Sequence, residues 1–344
     1  MAIENADYAY VKEAMFWEHQ DEGKVRCNLC HHRCVIKSGR RGICGVRENR
    51  AGVLYSLVYG RAAAQAVDPI EKKPLYHFLA GTASFSVATR GCNFKCLHCQ
   101  NCEISQVSAS RSFGREEIVL PEQIVASAEA TGCRSISYTY TEPTIFIEYA
   151  CDTARIAAGK GLKNVFVTNG YITQEALSHI APYIDAANID LKFFRDDIYK
   201  KVCGARLQPV LDVIRAYYEL GIWIEITTLV IPSYNDSEDQ LRGIAKFIAG
   251  LSTHVPWHIS AFYPTYKLTD APPTPPWVLE KARQIGIEEG LKYVYMGNLN
   301  RKSDTRCPEC QALVIQRSGF GIASNSLERG KCPSCNNPIA GVWA

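Results

Sequence analysis

No apolar run in the 344-residue sequence approaches the roughly 18 residues that a bilayer-spanning helix needs. The start, MAIENADYAYVKEAMFW, carries acidic residues where a secretory leader is basic and then apolar, so the chain is expected to be soluble and cytoplasmic. Charge of one sign is lacking too. A formal net charge of +3 makes no field strong enough to argue for nucleic acid or an anionic membrane as a partner. Also missing is the even scatter of cysteines expected of a disulfide framework, because eleven of the 15 cysteines fall in three compact groups. Grouped cysteines in a cytosolic-looking chain point to metal. Cys102, Cys133, Cys151 and Cys203 lie outside those groups and read as small buried hydrophobes.

What is present centres on residues 91–100, GCNFKCLHCQ, where Cys92, Cys96 and Cys99 make a C-x3-C-x2-C array on a loop expected to follow a strand. Three thiolates this close can ligate three irons of a cubane cluster and leave the fourth iron open. A zinc knuckle or a redox pair is the plainer reading. Zinc favours C-x2-C pairs completed by a distant second pair, and the C-x3-C interval departs from that habit. Cys102, three residues on, is either a fourth ligand or a bystander.

Two further groups flank this loop. Cys27, Cys30, Cys34 and Cys44 form a C-x2-C-x3-C-x9-C set in which zinc and an auxiliary iron-sulfur cluster are both admissible, since spacing does not separate them. Near the C-terminus, CPEC (Cys307, Cys310) and CPSC (Cys332, Cys335) are knuckles of a ribbon, with zinc expected and rubredoxin-like iron as the alternative. A ribbon this small has too little core to fold unaided, so metal supplies its stability.

Between the flanks the pattern alternates. Apolar runs at residues 84–89, 135–140, 164–169, 186–191, 222–231, 258–263 and 292–297 are separated by amphipathic stretches such as PEQIVASAEATG and LQPVLDVIRAYYELG, most of which end at glycine. Repeated strand-helix units predict an α/β chain with a partial or full parallel (β/α) barrel, whose ligands sit at the carboxyl ends of the strands. Residues 1–22 are expected to form one docked helix, and PIEKKP is expected to cross near the cysteine loop. The expected divisions are an N-terminal region over residues 1–80, a barrel over 81–302 and a ribbon over 303–344.

Polar residues gather at the expected strand ends. Glu142 follows the second strand, where the simplest role is a charge at a helix N-terminus. Thr168 and Asn169 end the third, where a plain Asn-Gly turn would suffice. Asp190 and Lys192 share a face at the fourth, as an ion pair or as ligands. Asn235 follows the fifth strand, and His258 on the sixth reads as a satisfied barrel residue.

Taken together, GCNFKCLHCQN, TYTEP, VTNG, IDLKFF and the closing knuckles resemble the radical SAM enzymes of the AmmeMemoRadiSam system, relatives of the pyruvate formate-lyase activating enzymes. The resemblance implies a 4Fe–4S cluster on Cys92, Cys96 and Cys99, with Cys102 outside the set, and S-adenosylmethionine (SAM) chelated at the open iron. One electron then cleaves SAM to a 5′-deoxyadenosyl radical that abstracts hydrogen from a protein or small-molecule substrate. It implies an electron donor such as flavodoxin or ferredoxin. It also implies SAM contacts from His98 (adenine), Glu142 (ammonium), Thr168 and Asn169 (carboxylate or ribose), Asp190 with Lys192, and Asn235 (adenosine). TYTEP only loosely replaces the Gly-Gly-Glu of the activases, and Val167 stands where they carry an acid; both departures weigh against a glycyl-radical activase, which is kept as one alternative. A metal-binding interaction module with a degenerate barrel is the other.

Overall fold

The computed structural model describes residues 11–107, 117–299 and 303–343. Its centre is an eight-stranded sheet of β1 (Ala64–Pro69), β2 (Ala83–Ala88), β3 (Ser135–Tyr138), β4 (Lys163–Thr168), β5 (Ala186–Asp190), β6 (Trp223–Val230), β7 (Trp257–Ala261) and β8 (Val294–Gly297), ordered as in the sequence. Strands β2 to β8 are parallel, and β1 joins β2 antiparallel. Sequential order with parallel neighbours requires a crossover at each step. The helices α1 (Cys102–Ser105), α2 (Pro121–Ala130), α3 (Ile147–Gly159), α4 (Gln174–Ile180), α5 (Asp196–Cys203), α6 (Leu207–Glu219), α7 (Glu238–Leu251) and α8 (Pro276–Glu288) supply them. β1 and β8 are the two edges of the sheet, so the barrel is partial.

Alternation along the strands divides the sheet into two faces. Phe85, Val87, Ile136 and Tyr138 join Ile124, Val125 and Ala150 of the helices in one core. Ser84, Ser86 and Ser137 therefore face the lumen, where Ser84 Oγ lies 2.5 Å from Ser137 Oγ and Ser86 donates to Asp68 at 2.8 Å. This concave face is polar at positions a purely structural core would fill with apolar groups.

Two sequence expectations are corrected here. Within the described part of residues 1–22 there is no helix; Lys12–Glu13 and Trp17–His19 are short strands and Asp21–Gly23 is a 3-10 turn. Trp17–His19 pairs with Val25–Cys27, which frames the first cysteine pair, so sheet pairing overrides the helical pattern. Residues 1–10 lie outside the described residues. The PIEKKP segment closes the opposite end of the barrel instead of crossing the cysteine loop. Ile70, Leu75, Phe78 and Leu79 pack on Val165, Ala186 and Trp223, which begin β4, β5 and β6.

The C-terminal ribbon is a three-stranded antiparallel sheet of Thr305–Arg306, Leu313–Ser318 and Gly321–Asn325. It is bolted to the same closed end. Arg317 is buried, donates to the Thr305 hydroxyl at 2.7 Å and the Tyr76 carbonyl at 2.8 Å, and lies 4.2 Å from the Tyr76 ring centroid. Val342 donates its amide to His77 O, and Leu79 donates to Val342 O, each at 2.7 Å. His77 donates Nδ1–H to the Ala340 carbonyl at 2.6 Å, which leaves Nε2 to accept from the Tyr295 hydroxyl at 2.5 Å. Glu225 accepts the amides of Tyr76 and His77 and bonds His258 Nε2 at 2.6 Å. His258 is thus a satisfied structural group.

Burial pushes the His77 pKa down to about 4, aided by Arg317 and His258 and opposed by Glu225. Above about pH 6.5, the ordinary histidine value, the ring is neutral folded or unfolded and contributes nothing to the pH dependence. Below it the unfolded chain takes up a proton that the folded chain refuses, so stability falls as pH drops from about 6.5 to about 4, by about 3 kcal/mol in all. Denaturant titrations across this window should show that loss in the wild-type chain. A His77→Phe variant, less stable at pH 7, should show a flatter profile.

Candidate functional site

The loop after β2 is held by its backbone, which leaves its thiols available. Gly91 has φ +97°, and a Cβ there would fall 2.6 Å from Val46 Cγ1 and 2.9 Å from the Cys44 carbonyl, so this close approach requires glycine. Lys95 N donates to Cys203 O at 2.8 Å, and Leu97 N donates to Val202 O at 2.9 Å. His32 donates Nε2–H to Asn93 O at 2.8 Å. Three segments distant in sequence therefore fix one loop.

Cys96 is buried, and Cys92 and Cys99 are half-buried. Donors reach the sulfurs: the Phe94 amide lies 3.4 Å from Cys92 Sγ, Asn169 Nδ2 lies 3.8 Å from the same atom, and Ser105 Oγ lies 3.0 Å from Cys99 Sγ. Burial, followed by the nearby Glu142 carboxylate, pushes the Cys92 thiol well up. Contact with Cys203 and then burial do the same to Cys96. Such thiols ionise when a metal takes the place of the proton.

Sulfur spacing separates the three cysteine groups. Among the described residues, only Cys307, Cys310, Cys332 and Cys335 bring at least three possible ligand atoms all within 4.8 Å of one another. Their sulfurs approach to 3.5 Å (Cys307 to Cys335) and 3.6 Å (Cys310 to Cys332). Tetrahedral zinc, with Zn–S of about 2.3 Å, sets its sulfurs about 3.8 Å apart, so the ribbon fits a single ion. The Cys92, Cys96 and Cys99 sulfurs do not meet that limit, and thiolates on separate irons of one cluster need not. The donor set fits a cubane.

The strand ends surround this loop. Glu142 is 1% exposed and bridges two of them: Oε1 accepts from Thr144 N, Thr144 Oγ1 and Thr168 Oγ1 at 3.1, 2.6 and 2.7 Å, and Oε2 accepts from Asn169 N at 2.8 Å. It also caps the 3-10 turn Pro143–Phe146. Burial pushes its pKa up, and these hydrogen bonds oppose the rise. Asn169 in turn donates Nδ2–H to Asn93 Oδ1 at 2.8 Å, tying the end of β4 to the cysteine loop. Asp190 and Lys192 form an ion pair at 2.7 Å, with the Lys192 side chain 16% exposed. His98 is buried beside Phe193, with ring centroids 6.1 Å apart, and its Nδ1 has no partner among the described residues. Burial, followed by the Lys192 charge, lowers its pKa to about 3, so the ring is neutral.

Asn235 requires a correction. It is fully buried, its Oδ1 accepts from Ile231 N at 2.6 Å, and its Nδ2 donates to Lys192 O and Leu229 O at 2.7 and 2.8 Å. Both donors are spent on backbone, so it pins the turn after β6 and offers no N–H to a ligand. Cys102 opens α1, the short helix whose Ser105 lies 3.0 Å from Cys99 Sγ.

Several contributors escaped the sequence reading. Ser105, Asn93 and Cys203 touch the three ligand sulfurs or their immediate neighbours, and only the fold brings Cys203 to Cys96. The N-terminal set also meets the site. Cys27, Cys30, Cys34 and Cys44 line one cavity together with Asn93. Their knuckle is anchored through Thr173 N to Leu29 O and His31 N to Tyr171 O, each at 3.0 Å.

A family model described as the Radical SAM superfamily matches residues 86–247. An uncharacterized protein of Methanocaldococcus jannaschii is 48% identical over 96% of this chain and 99% of its own length. The pyruvate formate-lyase-activating enzyme of Clostridium pasteurianum is 21% identical over 47% of this chain and 68% of its own. Among solved structures, a radical SAM methyltransferase from Sphaerobacter thermophilus matches with a TM-score of 0.50 and 16% identity, covering 64% of this chain and 67% of that one, a likeness of fold alone.

Because the ribbon sulfurs form a separate site, Cys307→Ser should remove one metal ion per chain and cost about 4 kcal/mol or more of stability. Iron bound at the central loop should remain, as metal analysis and the visible cluster absorbance would record. Loss of that absorbance would make the two sites one.

Proposed function

The chain belongs to the radical SAM superfamily, whose members use a 4Fe–4S cluster and SAM, and from that premise we propose that it cleaves SAM reductively at a cluster on Cys92, Cys96 and Cys99 and abstracts hydrogen from a further substrate. The observation that carries this reading is the cysteine loop itself: three sulfurs set wider than a single ion needs, on a backbone fixed from three sides, at the carboxyl end of a parallel sheet. When bound and reduced by an external one-electron donor, the cluster would supply one electron to the sulfonium of SAM, giving methionine and a 5′-deoxyadenosyl radical.

The chain's own residues have distinct parts in this reading. Cys92, Cys96 and Cys99 would hold three irons, while Phe94 N and Asn169 Nδ2 donate to the Cys92 sulfur and would steady it as a ligand. Lys192, held by Asp190, offers a cation to the SAM carboxylate, and neutral His98 offers a flat face to the adenine. Thr168 and Asn169, at the end of β4, would contact the SAM carboxylate or ribose in this reading. Glu142, already accepting four hydrogen bonds, acts chiefly by aligning those two residues, and its Oε2 retains a lone pair for the methionyl ammonium. The plug over residues 70–79 closes the far end of the lumen, so substrate and SAM enter from the cysteine side.

The oxidoreductase class, a flavodoxin or ferredoxin donor and a cytoplasmic location belong to the same proposal. Among the described residues no helix is long and apolar enough to cross a membrane. The similarity to a pyruvate formate-lyase-activating enzyme favours a protein as the hydrogen donor, as an activase would require.

Anaerobic reconstitution with iron and sulfide, followed by dithionite and SAM, should yield 5′-deoxyadenosine by chromatography. Cys92→Ala should yield none, and Asn169→Ala should bind cluster or turn over about 10-fold less well. An interaction module with a degenerate barrel would make no 5′-deoxyadenosine at all, and turnover retained in Cys92→Ala would refute the ligand assignment.

A further inference from the structure

The cavity beside the cysteine loop is lined by Cys27, Cys30, Cys34, Cys44, Arg47 and Asn93. Most of its remaining wall is apolar, with Leu29, Ile36 and Ile145 among the contributors. Arg47 and Asn93 are each 1% exposed. Arg47 spends Nη2 on the Met15 carbonyl and on Glu148 Oε1, the latter at 2.9 Å. Its Nε and Nη1, and Asn93 Nδ2, have no hydrogen-bond partner among the described residues. A buried guanidinium with idle N–H groups is costly unless an acceptor of negative charge lies against it. Four cysteines in the same wall say what that acceptor is made of.

Zinc and a cubane are both anionic with four thiolates, and sulfur spacing distinguishes them. The ribbon cysteines are gathered within 4.8 Å, whereas no three sulfurs of the Cys27, Cys30, Cys34 and Cys44 set meet that limit. In this respect the set matches the Cys92, Cys96 and Cys99 loop, so the chain carries its own standards for both kinds of site. We propose that Cys27, Cys30, Cys34 and Cys44 hold a second 4Fe–4S cluster, all four corners taken by cysteine, with Arg47 and Asn93 donating to its sulfides. With no open corner it cannot chelate SAM. Its place is a shared wall with the first site: Asn93 lines the cavity and follows Cys92 in sequence, and Gly91 lies against Cys44 and Val46. This deepens the proposed function by setting a second one-electron centre beside the first, while the site itself rests on residues that reading does not use.

The test is metal counting and electron paramagnetic resonance on the full chain, reconstituted anaerobically with ferrous iron and sulfide. A variant with Cys92→Ala, Cys96→Ala and Cys99→Ala should retain about four irons and four sulfides per chain, with zinc confined to about one ion. Its dithionite-reduced signal should not respond to SAM. Adding Cys34→Ser, at the half-buried member of the set, should diminish or alter that signal while the ribbon zinc stays, which reports that the chain is folded. About two zinc ions and no iron in the triple variant would overturn the inference. In wild-type protein, about eight irons support both sites. About four irons that vanish in the triple variant overturn this inference and leave the proposed function standing, and about four that all persist support it and overturn the first cluster.

Discussion

A loop that gives its side chains to a metal must be positioned by something other than those side chains, and the backbone contacts of residues 91–100 meet that constraint. Gly91 lies against the Cys44 carbonyl, His32 holds Asn93 O, and the end of α5 accepts the amides of Lys95 and Leu97. The N-terminal cysteine segment, the barrel and α5 must all be in place for the loop to have its shape. Glu142 extends the same logic, joining the end of β3 to the end of β4 through one buried carboxylate. The price of burying that charge is offset by four hydrogen bonds, so the residue is as much a brace as a ligand.

The molecule is also divided end from end. At the carboxyl ends of the strands lie the thiols, the Asp190–Lys192 pair and the Asn93–Asn169 contact. At the opposite end, residues 70–79 and the ribbon make a closed base in which Glu225 accepts the His77 amide, His77 bonds the Tyr295 hydroxyl and Arg317 donates to the Tyr76 carbonyl. A metal held by the four ribbon cysteines would thus stabilise the base on which the barrel stands. Between the ends the lumen is polar, with Ser86, Asp68 and Lys73 linked and Tyr140 donating to Asp68.

Much of this was legible beforehand, and the reasons are local. Parallel strands buried on both faces leave short apolar runs, so β2 to β8 were found within a few residues of their observed bounds. The cysteine triplets and pairs declare themselves by spacing. The failures share a different cause. Asn235 looked like a ligand because it follows a strand, yet its amide is consumed by the turn it closes. The start of the chain has a helical pattern but pairs with the strand bearing Cys27. Arg47, Ser105 and Cys203 carry no motif, and only the fold brings them to sulfur. Spacing alone leaves zinc and a cluster both admissible at the N-terminal set, and the position of its sulfurs in space is what the proposal of a second cluster adds.

The central claim is a cubane with one iron that no cysteine holds. Mössbauer spectroscopy of the chain reconstituted anaerobically with iron-57 reads this directly, before and after SAM is added. The account predicts that a single iron site of the Cys92, Cys96 and Cys99 cluster changes its isomer shift and quadrupole splitting on SAM addition while its three neighbours do not. Iron sites that are all equivalent and indifferent to SAM would contradict it.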